Sequence, residues 1–167
     1  MTPGAVESSR TLASASGVGV PNNRPSWGLT RGDELGADRY VLGFLGEGRK
    51  SEVYLAWDRR RRSTVAAKLL LRGRPGKLGK ELGLLQRLSH PLIVRGFDAV
   101  LEGSRPHLAM EHVHGPSLRR LLRKGPLPPA LVASVGLQTA SVLHYLAMQD
   151  MVHIDVKPQN ILLTRPS

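Results

Sequence analysis

At 167 residues with a formal net charge of +11, the chain is long enough for one compact domain with a core, or for a smaller domain and a tail. It has no cysteine, which excludes a disulfide framework and a thiolate metal centre, and nothing argues for an oxidising compartment, so a cytoplasmic setting is the expectation. Met1 to Asn23 has no basic start followed by an apolar run, which argues against a secretory signal; Leu131 to Met148 is the most apolar stretch but carries Gln138, Thr139, Ser141 and His144, and reads as a core helix rather than a membrane span.

In chain order, residues 1–34 are rich in Ser, Gly, Pro, Thr and Asn without a period and read as a disordered tail. A domain is expected over 35–167, with a strand-rich part at about 38–113 and a helical part at about 114–167. Tyr40 to Leu45 and Val53 to Trp57 read as strands around the turn Gly46 to Ser51, and Ser63 to Leu71 as a third strand. A glycine- and proline-rich loop follows, then a helix over Leu78 to Leu88, strands over Ile93 to Leu101 and His107 to Val113, a short helix over Ser117 to Arg123, and a long helix over Ala130 to Met148. Strands first and helices later is an α+β order. The run Arg59 to Arg62 falls between two strands, where a solvated hairpin turn carries charge, and few aromatics lie near it. Specific nucleic-acid binding is therefore not the expectation.

Three groups of residues carry chemistry. The first is the glycine turn Leu45-Gly46-Glu47-Gly48-Arg49-Lys50-Ser51-Glu52-Val53. Glycines let backbone amides approach phosphates, but dinucleotide folds and P-loops need a helix next, whereas a strand follows here, and Arg49 spoils P-loop spacing. The second is Val65-Ala66-Ala67-Lys68. Strand alternation puts the Lys68 ammonium on the face of Ala66 and Leu70, where it needs an anion. Leu78, Leu82 and Leu85 mark one face of the next helix, and Glu81 falls in the same stripe, so the two charges answer each other. The third is His153-Ile154-Asp155-Val156-Lys157-Pro158-Gln159-Asn160, which gathers a carboxylate, a cation and a neutral oxygen within six residues.

In this order and spacing the motifs resemble the eukaryotic-type serine/threonine protein kinase family, as also found in bacteria, over Tyr40 to Leu163. The resemblance implies an α+β kinase fold, with an antiparallel sheet and its glutamate-bearing helix followed by the first helices and catalytic loop of the second lobe. It implies ATP and Mg²⁺ as ligands and a protein hydroxyl as acceptor. On it, Asp155 orients the acceptor hydroxyl, Lys157 meets the transferring phosphate, Lys68 held by Glu81 meets the other phosphates, and Asn160 ligates Mg²⁺. Leu45, Gly46, Glu47, Gly48, Ser51, Val53 and Ala66 roof the nucleotide, Leu162 floors it, Met110 is the gatekeeper, and the backbones of Glu111 and Val113 meet the adenine.

Four positions depart from the family pattern. Ser51 replaces the third glycine. Ile154 stands where an arginine is common. Gly96 stands where a bulky residue backs the glutamate-bearing helix, so that backing is expected to be missing. No Asp or Glu follows Asn160, so the Asp-Phe-Gly carboxylate and the activation loop of the family are not in these residues, and a chain cut short after the catalytic loop is the expectation. Two readings follow: a serine/threonine kinase, or a non-catalytic remnant that binds nucleotide or another protein. The helix at 130–148 has apolar residues on more than one face, which predicts an exposed apolar surface and a partner to cover it.

Overall fold

The computed structural model describes residues 26–36 and 38–164. Six strands form one antiparallel sheet: β1 (Glu34–Gly36), β2 (Arg39–Glu47), β3 (Ser51–Asp58), β4 (Ser63–Leu70), β5 (Gly96–Val100) and β6 (His107–Glu111), in the spatial order β1-β2-β3-β4-β6-β5. Three helices accompany it: α1 (Gly76–Arg87), α2 (Leu118–Leu122) and α3 (Pro129–Met148). This is the expected α+β arrangement of a sheet with one long helix followed by a helical segment.

The sheet separates its side chains by strict alternation. One face carries Val41, Tyr54, Ala56, Val65, Ala67, Leu69 and Ala109, which with Leu35 make the hydrophobic core. The other carries Val53, Ala66, Lys68 and Met110, brought side by side by the register Val53↔Lys68 and Ala66↔Met110. A one-residue slip would exchange the two faces, so the apolar set on the core face fixes which way Lys68 points.

The expected tail to residue 34 is a correction. Residues 26–34 lie on the core face: Trp27 and Leu29 pack against the core, Trp27 donates its indole N–H to the Leu70 carbonyl at 3.0 Å, and its backbone N–H donates to Glu52 Oε2 at 3.0 Å. Polar composition masked one Trp and one Leu that the sheet needs as a cover. Residues 1–25, in the rest of that expected tail, lie outside the described residues.

Helix α1 has poor intrinsic credentials, with Gly76, Gly79 and Gly83 in twelve residues and no side-chain N-cap. Tertiary contact holds it, through the fully buried Leu78. Helix α3 begins with proline at its first position, one residue before the expected start, and is long and apolar enough to cross a membrane, a property shared by core helices of soluble proteins. Leu146 alone among its residues is buried. Val132, Leu137 and Met148 are exposed, Leu137 at 74 %, so the expected apolar surface is present and the helix is not a core helix among the described residues.

Three of the four arginines of the β3–β4 turn are engaged by neighbouring elements: Arg60 pairs with Asp38, just before β2, at 2.8 Å, Arg59 lies over the Tyr40 ring of β2 and Arg61 over the Phe97 ring of β5. Behind them, Arg39 is buried between Asp58 and Asp98 and reaches His107 Nε2 at 3.1 Å. No buried side-chain nitrogen or oxygen lacks a partner among the described residues.

Candidate active site

Lys68 leaves β4 on the face opposite the core, and its Nζ sits 2.7 and 2.8 Å from the two oxygens of Glu81 on α1. Both groups are partly exposed, so the pair contributes on the order of 1 kcal/mol or less and cannot itself hold the helix. Packing sets the helix position. A Cβ built on Gly96 would lie 2.9 Å from Leu85 Cβ and 3.1 Å from Leu82 Cδ1, closer than real side chains approach. The expected loss of backing behind α1 is therefore corrected: the leucines of α1 rest directly on the β5 backbone, and glycine is what lets them.

The glycine turn closes β2 onto β3. Gly48 N–H donates to the Ser51 carbonyl at 2.7 Å, and bulges in β2, at Val41/Gly43 and Phe44/Gly46, alter its course on the way into the turn. A Cβ on Gly46 would meet nothing within 4 Å and one on Gly48 nothing nearer than 3.8 Å, so the space around the turn is open. Leu45 at its entrance is exposed, Glu47 lies opposite Glu52 in the ladder, and Ser51 starts β3.

Beyond Glu111 the chain leaves the sheet. The Glu111 N–H donates to the Arg95 carbonyl at 2.8 Å, whereas neither the N–H nor the C=O of Val113 has a partner among the described residues. Two residues on, a Cβ on Gly115 would fall 1.8 Å from the Leu163 carbonyl oxygen. That contact belongs to a short pairing the sequence reading missed: Leu163 N–H donates to Pro116 O, Leu118 N–H to Ile161 O, and Ser117 bridges Leu162. It places Leu162 beside the start of α2. The approach spans almost fifty residues, and its one local signal is the Gly-Pro pair after His114.

In the loop 153–160, Asp155 Oδ2 lies 2.7 Å from Lys157 Nζ, and Asn160 donates from Nδ2 to the Asp155 backbone oxygen at 2.9 Å and to Oδ2 at 3.1 Å. The Lys157 ammonium, then the Asn160 amide, hold the Asp155 carboxyl below its usual range, so it is ionised at neutral pH. Because Asn160 spends its N–H groups on Asp155, its Oδ1 is left as an acceptor for a hard cation. Ile154 is 95 % exposed and touches none of this chemistry. Burial, then His114, lowers the His112 pKa on the segment leaving β6.

The sequence-predicted residues thus fall into a glycine turn, a Lys68–Glu81 pair and an Asp155–Lys157–Asn160 cluster. Arg119 N–H donates to the Pro158 carbonyl at 3.0 Å and ties the last of these to α2, while Ser89 N–H donates to Tyr145 Oη at 2.8 Å and ties the α1 end to α3. Two small cavities, of about 270 and 310 Å³, lie away from these groups: one is lined by residues of 115–124, the other by Trp27 and the loop before α1.

A family model for the protein kinase domain matches residues 40–167. Among curated proteins, the chain is 35 % identical over 140 residues to serine/threonine-protein kinase PkaA of Streptomyces coelicolor, covering 71 % of this chain and 25 % of that protein. It is 34 % identical to serine/threonine-protein kinase PknB of Mycobacterium leprae, covering 77 % and 22 %, and 33 % identical to the probable serine/threonine-protein kinase CPE1738 of Clostridium perfringens, covering 80 % and 20 %. The chain spans about a quarter or less of the length of these relatives. With the motif order, the two-faced sheet and the ion pair to α1 already in place, the match settles the kinship: this chain belongs to the protein kinase family, among its serine/threonine members.

Proposed function

We propose that the chain carries the nucleotide-binding lobe and the acceptor loop of an enzyme that moves the γ-phosphoryl group of ATP to a serine or threonine hydroxyl of a protein. The observation that carries this reading is the two-point Lys68–Glu81 pair on the sheet face opposite the core. It presents a fixed cation beside an open glycine turn, where phosphates have room. Ala66, Val53, Leu45 and Leu162 offer apolar surface to an adenine, with Met110 behind and the unpartnered Val113 backbone, beside that of Glu111, as its hydrogen-bonding edge.

Asp155, ionised and pointed at by Lys157 and Asn160, is suited to orient an acceptor hydroxyl and take its proton. Lys157 then needs only to turn from Asp155 to a transferring phosphate. Such transfer relies on position and charge more than on covalent chemistry, and these groups supply both. Magnesium, when bound, neutralises phosphate charge, and Asn160 Oδ1 would hold it. One amide oxygen falls short of a magnesium site, no acid follows in residues 161–167, and the described residues hold no cluster of three metal-ligating side chains.

Calorimetric titration of the chain with Mg-ATP tests the binding half. Binding that Lys68→Met weakens by about tenfold or more agrees with the reading; binding indifferent to Lys68 refutes it. Transfer to a generic basic protein tests the chemical half, with Asp155→Asn expected to lower the rate by about a hundredfold or more.

A further inference from the structure

The segment that leaves β6 for α2 carries His112, Val113 and His114, and neither histidine has a part in the phosphoryl chemistry above. In an extended chain alternate side chains share a face, and the two imidazoles meet with ring centroids 4.2 Å apart and planes at 60°. His112 Nδ1 lies 3.2 Å from the Thr64 hydroxyl, at the start of β4. That contact fixes the ring and leaves Nε2, at its far side, without a partner among the described residues. His114 is exposed. Glu111 is turned elsewhere, its carboxylate accepting from Arg95 N–H.

Two imidazoles so close repel a second proton, and each, when neutral, keeps one nitrogen lone pair within a few ångströms of the other ring. Imidazole nitrogen suits borderline divalent ions such as Zn²⁺, Ni²⁺ and Cu²⁺, and a hydrogen-bond partner on the other ring nitrogen is the usual means of orienting a metal-bound histidine. Thr64 supplies that partner. We propose that His112 and His114 form a two-imidazole site for a borderline divalent transition ion, on the segment that joins the sheet to the helical part. No third His, Cys, Asp or Glu converges on it among the described residues, so the remaining coordination positions are open to water. The site stands independently of the phosphoryl-transfer reading.

Titration of the full chain with Zn²⁺ at neutral pH, in excess Mg²⁺, is the test, because magnesium prefers oxygen ligands and will not compete. One equivalent should bind. His114→Ala, at an exposed position where folding is not at stake, should weaken binding by at least about tenfold, and Thr64→Val, which removes the orienting hydroxyl, by about tenfold. His144→Ala, on α3, should change nothing. Zinc affinity that survives His114→Ala, that falls in His144→Ala instead, or that is absent from the unaltered chain overturns the proposal.

Discussion

Residues 26–111 bury charge as well as apolar surface, whereas in residues 112–164 Leu146 is the one buried side chain. The backbone pairing of the two regions also differs. In the sheet every ladder bond joins two strands, from hairpin neighbours such as β2 and β3 to the distant pair β4 and β6, so strands form only as their faces are covered, and the Trp27 segment adds to that cover. In α3 the bonds are internal to twenty consecutive residues, so the helix forms whether or not its side chains are buried. The sheet half is therefore where substitutions should register in stability, and the helical segment is where they should register in association.

The largest effect is expected from Trp27→Ala. It removes the indole that packs against the core and leaves the Leu70 carbonyl short of a donor, while the backbone N–H to Glu52 is kept, and it should lower unfolding stability by about 3 kcal/mol in denaturant titration. A loss under about 0.5 kcal/mol would mean that residues 26–34 are not part of the folded unit. Next is Gly96→Leu. With Leu85 Cβ already at the limit, α1 must rise off the sheet, at a cost of about 2 kcal/mol, and Glu81 moves away from Lys68. Pairing it with Leu85→Ala should restore both stability and hydrogen-exchange protection of α1; failure of that rescue would disprove the direct seating of the helix on β5.

These two positions show where the sequence was legible and where it was not. Lys68 and Glu81 could be paired on paper because strand alternation and helical spacing are short-range periodicities, each pointing one charge at the same face. The Asp155 cluster was legible for the same reason, lying within six residues. Trp27 was hidden because a polar stretch with one aromatic has no period, and its worth depends on a sheet made later in the chain. Gly96 reads from sequence as a missing side chain, and Gly115 carries no signal beyond the proline after it. Their meaning lies in how near Leu85 and the Leu163 carbonyl come, which only the folded chain determines.

A smaller effect, again confined to the sheet half, should appear with pH. His107 is fully buried, its Nδ1 2.9 Å from the Arg105 carbonyl and its Nε2 facing Arg39. The only arrangement in which both contacts are favourable is a neutral ring with its proton on Nδ1. Burial, with Arg39 adding to it, holds its pKa below the ordinary 6.5, against the attraction of Asp58 and Asp98. Below 6.5 the unfolded chain takes a proton that the folded chain resists, so stability is complete above that pH and declines as pH falls through it. His107→Gln, which can keep one donor and one acceptor, should flatten the fall between neutral pH and about pH 5. An equal fall in the variant would refute the role of His107, since Asp58 and Glu52, with pKa values lowered from the ordinary carboxylate range, act only further into acid.

The smallest effect on stability is expected on α3, and it is the sharpest test of the contrast. Leu137 and Met148 are 74 % and 69 % exposed, so replacing both with glutamine removes no buried surface and should shift unfolding by no more than about 0.5 kcal/mol. The same change should reduce the binding of a hydrophobic dye and any concentration-dependent self-association, because Leu137 and Met148, eleven residues apart on one helix, form an exposed apolar stripe on a single face. If instead the double substitution destabilised the chain by several kcal/mol, these side chains would be buried in solution. The division between a closed sheet and an open helix would then fail, since the helix would have found its cover in a second copy of the chain or within the fold itself.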